Sequence, residues 1–179
     1  MGDDGAHLAT ADRAGRLREV TVYDRILVPL EHSAADASIL AHVRPLARMC
    51  SASLVLIHVA DGWAARNIRH LHLRESEEMK SDRAYIERMA AELEAEGFEA
   101  DAILATGDPA EEIADAAERE QCSLIAMSTH GHKFLSDLLR GSVANEVRHR
   151  SMVPVLLVRA GWHDPSVSVA EGSMARSHS

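Results

Sequence analysis

Five short apolar runs divide this chain: RILVPL from Arg25, SLVLIHVA from Ser53, EADAILA from Glu99, SLIAM from Ser123 and VPVLLV from Val153. The segments between them carry apolar residues at helical spacing. Near-continuous apolar runs of this length suit strands buried on both faces, and parallel strands joined by helices are the arrangement that buries them. The pattern predicts an α/β fold, a doubly wound five-stranded parallel sheet in a single domain. A strand order of 3-2-1-4-5 puts a ligand crevice beyond the carboxyl ends of strands one and four, where the order reverses.

Local signals place the connecting helices. Ser33 with Asp36 three residues on forms a capping box, followed by the stripe Ile39, Leu40, Val43, Leu46, Ala47 and Cys50. After the second run comes an irregular stretch with Gly62 and Trp63. A long helix follows, with Met79, Ile86, Met89, Ala90 and Leu93 facing inward and Gly97 at its end. Asp108, Pro109 and Glu111 start another, with Asp108 as N-cap and Pro109 in the first helical position. A last helix is expected from about Ser142 to Arg150. Residues 1–22 and 161–179 are small and polar without sustained period, and read as flexible tails around a domain of residues 23–160.

Charge and cysteine content narrow the partners. A net charge of -9 opposes the phosphate attraction on which nucleic-acid binding depends, so no nucleic-acid partner is expected. Any bound phosphate must be held by local neutral donors and a helix terminus. Aromatic residues are only 3% of the chain, which leaves an aliphatic core. Cys50 and Cys122 lack CxxC spacing and read as reduced residues in or near that core. The sequence shows neither a secretory leader nor an apolar run near the ~20 residues of a membrane span. A cytoplasmic protein with no membrane partner is the expectation.

The segment most suggestive of function is Ser128-Thr129-His130-Gly131, followed nine residues later by Gly141-Ser142. A glycine loop between a strand and a helix start directs backbone N–H groups and the positive helix terminus toward one point, which suits a phosphate. Ser142 serves as N-cap or phosphate donor, and Lys133 and Arg140 are secondary candidates. His130 and His132 supply only two imidazoles without an acid or thiol at zinc spacing, so no metal site is assigned. His58, on an apolar strand, reads as a structural core histidine. No nucleophile elbow is present and no paired-carboxylate constellation can be placed in one pocket from the sequence, so no catalytic residue is assigned, and any hydrolysis at a phosphate site would be incidental.

The segments ILVPLEHS, LIHVAD, TGDPAEEIADAA and LIAMSTHGHKFLSDLLRGSVANEV, followed by VPVLLV, resemble the universal stress protein family across about Tyr23 to Arg159. The family's phosphate-loop pattern is Gly, two residues, Gly, nine residues, Gly and Ser or Thr. Gly131, Gly141 and Ser142 match it; Ser128 replaces the first glycine, and Glu31 stands where nucleotide binders typically have aspartate. The resemblance implies a binding set of Pro29, Leu30, Glu31, Val59 and Met127 with Ser128, His130, Gly131, His132, Gly141, Ser142 and Val143. In it Glu31 lies near the adenosine, Val59 packs on adenine, Met127 lines the pocket, and the glycines and Ser142 surround the phosphates. The ligand so implied is ATP or another adenine nucleotide, with Mg compatible with ATP, in a stress-response or signalling module that switches conformation or partner. A homodimer through the last strand, Val153 to Arg159, and an unidentified protein partner go with it. Two alternatives stand beside it: a dimeric scaffold that binds no nucleotide, and a receptor for AMP or a cyclic nucleotide.

Overall fold

The computed structural model describes residues 9–11, 17–19, 21–60, 77–129 and 140–161, with backbone alone at 9–11, 17–19 and 140–142. Strands β1 (Ala9–Ala11) and β2 (Leu17–Glu19) form a small antiparallel pair, within a segment whose sequence shows no strand period. The main sheet contains β3 (Arg25–Pro29), β4 (Ser53–Ala60), β5 (Ala100–Thr106), β6 (Leu124–Thr129) and β7 (Val155–Arg159). All its pairings are parallel and its order is β5-β4-β3-β6-β7, the expected 3-2-1-4-5 when these five are counted along the chain. The intervening helices are α1 (Ala35–Cys50), α2 (Glu77–Ala95), α3 (Pro109–Arg119) and α4 (Arg140–Arg150).

Alternation along the strands divides the core into two layers. Ile26, Val28, Leu54 and Leu56 pack with Ile39, Leu40 and Val43 of α1 and Ile86 and Leu93 of α2. Leu27, Val55, Ile57 and Ile125 face the other way, onto Ile113, Ala116 and Ala117 of α3 and Val147 of α4. Small alanines on α3 let it approach the sheet closely.

Three local expectations are adjusted. Helix α1 starts at Ala35 rather than directly after Ser33, because the Ser33 hydroxyl accepts from Ala35 N two residues on and Ala34 makes no side-chain cap. Asp36 nevertheless reaches back to Ser33 N–H at 3.0 Å, the returning half of a capping box. The last helix begins at Arg140, so Gly141 and Ser142 lie in its first turn. Strand β7 begins at Val155, since Pro154 has no N–H for the ladder, although its carbonyl accepts from Ile125 N. Asp108 caps α3 as expected, accepting from Glu111 N at 3.0 Å. The stretch with Gly62 and Trp63 lies outside the described residues.

Candidate functional site

The two central strands part near their carboxyl ends. β3 and β6 are in register only at Ile26 with Leu124 and Leu27 with Ile125. Beyond Leu27, β3 follows β4 as far as Pro29 opposite Ile57, and Leu30 N donates to Ile57 O at 2.8 Å. β6 instead follows β7 as far as Thr129 opposite Arg159. Each strand keeps its outer partner while the inner ladder stops, which opens the crevice that the strand order predicts.

A cavity of about 310 Å³ occupies this place. Its walls differ in chemistry. Pro29 to His32, Ile57 to Ala60 and the α2 residues Glu78, Met79 and Asp82 form one side, which carries Glu31, Glu78 and Asp82 as acids and His32 and His58 as imidazoles. Met127, Ser128, Val143 and Ala144 form the other, with the first turn of α4 bordering the space. Pro109 and Ile113 of α3 complete the lining. Unpaired N–H groups at a helix start favour an anion on the second side, and the acids disfavour one on the first.

Seven of the expected binding residues line this cavity: Pro29, Leu30, Glu31, Val59, Met127, Ser128 and Val143. Gly141 and Ser142 lie in the bordering turn of α4 as backbone. His130, Gly131, His132 and Lys133 lie outside the described residues. Ser128 sits within β6 opposite Val158 with ordinary strand backbone, so no glycine conformation is required there. The exchange of glycine for serine adds a buried hydroxyl to the cavity wall and does not strain the chain.

The acidic wall is built around Asp36, only 2% exposed. Its carboxylate accepts from Glu31 N and Ser33 N, both at 3.0 Å, and from the Tyr85 hydroxyl at 2.6 Å. Burial, reinforced by the bond to Asp36, pushes the Tyr85 phenol well above its ordinary range and keeps it a donor. His32 has left-handed backbone, φ 58°, and stacks on Tyr85 with ring centroids 3.9 Å apart. Asp36 and Tyr85 together therefore fix the loop that presents Glu31 and His32.

His58 is buried and hydrogen-bonded, as expected of a structural core histidine, but its surroundings are not wholly apolar. It lines the cavity, its Nδ1 lies 2.8 Å from Leu30 O, and its Nε2 faces Asp82 Oδ2 at 3.6 Å. His32 Nδ1 approaches the other oxygen of Asp82 at 3.4 Å. Sequence reasoning overlooks Asp82 because α2 carries many exposed acids and nothing in its period marks this one. The alternation of β4 does put His58 on the face away from Ile57, toward α2. Among the described residues, no group of three or more His, Cys, Asp or Glu side chains is arranged to hold a metal ion.

Comparison with known proteins agrees with this architecture. The model of the universal stress protein family matches residues 22–159. Universal stress protein MJ0577 of Methanocaldococcus jannaschii is 31% identical, with 77% of this chain and 96% of that protein covered. Its solved structure superposes with a TM-score of 0.65, over 77% of this chain and 96% of that one. Universal stress protein YxiE of Bacillus subtilis is 30% identical, with 77% of this chain and all 100% of that protein covered. A universal stress protein from Archaeoglobus fulgidus, solved in complex with dAMP, shares the fold at TM-score 0.55 and 20% identity, over 76% of this chain and 98% of that one.

Proposed function

The chain belongs to the universal stress protein family, and on that footing we propose that it is a signalling module that holds an adenine nucleotide, most simply ATP, in the crevice between β3 and β6. The observation that carries the proposal is the cavity of about 310 Å³ at the switch point, lined by seven residues of the expected nucleotide set. Three features support it. The helix turn containing Gly141 and Ser142 borders the cavity and suits phosphate. The opposite wall is acidic and suits the neutral nucleoside end. A family relative of the same fold is solved with dAMP. That last point also favours a second reading, in which the physiological ligand is a nucleoside monophosphate and fewer phosphate contacts are made.

Titration calorimetry with ATP, AMP and cyclic AMP, with and without Mg, tests both readings. Under this proposal the parent binds ATP saturably and a folded Gly141→Val protein binds at least tenfold more weakly, because the branched side chain obstructs close approach to the helix turn. Stronger binding of AMP than ATP transfers the conclusion to the monophosphate. No heat with any nucleotide from folded, ligand-stripped parent leaves the protein-binding scaffold.

The output of such a module is a change of conformation or of protein partner in the cytoplasm, from a homodimer built on β7. Among the described residues β7 pairs only with β6, and its free edge is apolar, with Leu157 44% and the adjoining Met152 94% exposed. An edge of that kind requires a cover. Light scattering that returns a monomer mass at working concentration would exclude the dimer. Among the described residues no helix is long and apolar enough to cross a membrane.

A further inference from the structure

The acidic wall contains two hydrogen-bond acceptors that cannot satisfy one another. Leu30 O only accepts, so the ring hydrogen of neutral His58 sits on Nδ1, 2.8 Å away, and Nε2 presents a lone pair. Asp82, as a carboxylate, presents a lone pair at Oδ2, 3.6 Å from that nitrogen and beyond hydrogen-bond length. His32 lies against the other oxygen, Oδ1, at 3.4 Å, which leaves Oδ2 turned to His58. Both side chains are nearly buried, at 11% and 14% exposure, and both line the nucleotide cavity. With the Nδ1 hydrogen committed to Leu30 O, the neutral pair places no donor between its two facing atoms, and both residues open onto the cavity from which one can come.

We infer that His58 Nε2 and Asp82 Oδ2 form a two-acceptor clasp that receives one hydrogen-bond donor, a hydroxyl or an amino group, from the nucleoside part of the bound ligand. The inference rests on the nucleotide reading and deepens it, because it assigns specificity to side chains outside the expected binding set. The chemistry of the clasp selects a neutral donor. A phosphate brought to the same point would meet a carboxylate with Glu31 and Glu78 in the same wall, so the clasp also sets the direction in which a nucleotide enters. A metal ion is not its match, since among the described residues no group of three or more His, Cys, Asp or Glu side chains is arranged to hold one.

The two sources of such a donor are the sugar hydroxyls and the base amino group, and analogues separate them. Calorimetric affinities are measured for ATP, 2′-deoxy-ATP, 3′-deoxy-ATP and inosine triphosphate, which lacks the amino group, on the parent and on Asp82→Asn. In the variant, the side-chain amide donates to His58 Nε2 and closes the clasp from within. The parent is expected to bind one of the three analogues about tenfold more weakly than ATP, the worth of one hydrogen bond. Asp82→Asn should bind ATP about tenfold more weakly than the parent and make no distinction between ATP and that analogue. Equal affinity for all four ligands in the parent overturns the inference while leaving the nucleotide reading intact, and so does a penalty that persists unchanged in Asp82→Asn. Absence of binding by any of the four to folded parent defeats the nucleotide reading and the clasp with it. The analogue series on the parent decides the matter even if the variant does not fold, which thermal unfolding reports.

Discussion

The two ends of the central sheet handle polar groups in opposite ways. At the amino end, Arg25 pairs with Asp101 at 2.7 Å and Glu120 at 3.5 Å, and the Ser123 hydroxyl donates to Arg25 O while accepting from Asp24 N at 3.0 Å. Apart from Arg25 Nε, these groups find their partners within the chain, and they join the starts of β3, β5 and β6. At the carboxyl end, Asp36 is also satisfied internally, but it serves to hold a loop whose other polar groups, with His58 and Asp82, face a cavity. One end closes on itself, and the other uses a buried anchor to present acceptors outward. Polar residues of similar type thus close the sheet end or line an opening according to whether their partners are already in the chain.

The sharpest way to break that comparison is to remove the anchor. Asp36→Ala deprives the Tyr85 hydroxyl and two backbone N–H groups of their acceptor, in a site only 2% exposed. Unsatisfied buried donors cost about 1–3 kcal/mol each, partly relieved by water entering at the loop, so a loss of about 3 kcal/mol in denaturant unfolding is expected. A loss below about 1 kcal/mol would show that the loop is not held by this carboxylate. Tyr85→Phe removes one donor and leaves Asp36 its two backbone partners, so it should cost about 1 kcal/mol.

A smaller effect separates the two ends by pH. Burial raises the Cys122 thiol, at the amino end, from an ordinary 9.0 to about 11. The folded protein therefore keeps this proton where the unfolded chain has lost it. The resulting stabilisation is present in full below about pH 9 and disappears as pH rises to about 11. Unfolding free energy should fall across that interval, and Cys122→Ala should flatten the fall. The same burial makes Cys122 slow toward a thiol reagent at pH 8, whereas Cys50, only partly buried, should react first.

The sequence revealed the framework more readily than the acidic wall of the site. Apolar runs bounded by capping residues made all five main strands legible, and Asp108 with Pro109 marked the start of α3. The strand order then placed the crevice, and motif resemblance supplied Glu31, Val59, Met127 and Ser128, all of which line it. Apart from Glu31, the polar groups of the acidic wall were illegible because their arrangement depends on contacts far apart in the chain. Tyr85 meets Asp36 across 49 residues, and Asp82 meets His32 across 50. An acid on an exposed helix and a histidine on an apolar strand each have an ordinary explanation until the fold brings them face to face. The pairing of β1 with β2 was likewise unmarked, since three-residue strands are too short to show a period.

The smallest expected effect lies in the ion pairs of the amino end, and it bears most directly on the contrast between the ends. Arg25 is 28% exposed in its side chain and Asp101 is 64% exposed, so water and salt screen their attraction despite a 2.7 Å contact. Asp101 also sits on β5, one of the two outer strands of the sheet. A double-mutant cycle of Arg25→Met and Asp101→Asn should therefore give a coupling of about 0.5 kcal/mol, diminished further in high salt. The methionine keeps an apolar stem at this position and removes a guanidinium whose Nε is buried without a partner, which offsets part of the lost pairing. A coupling above about 2 kcal/mol would mean that the amino end is an anchor comparable with Asp36. The distinction between the ends would then rest on which groups face the cavity, and no longer on how strongly each is held.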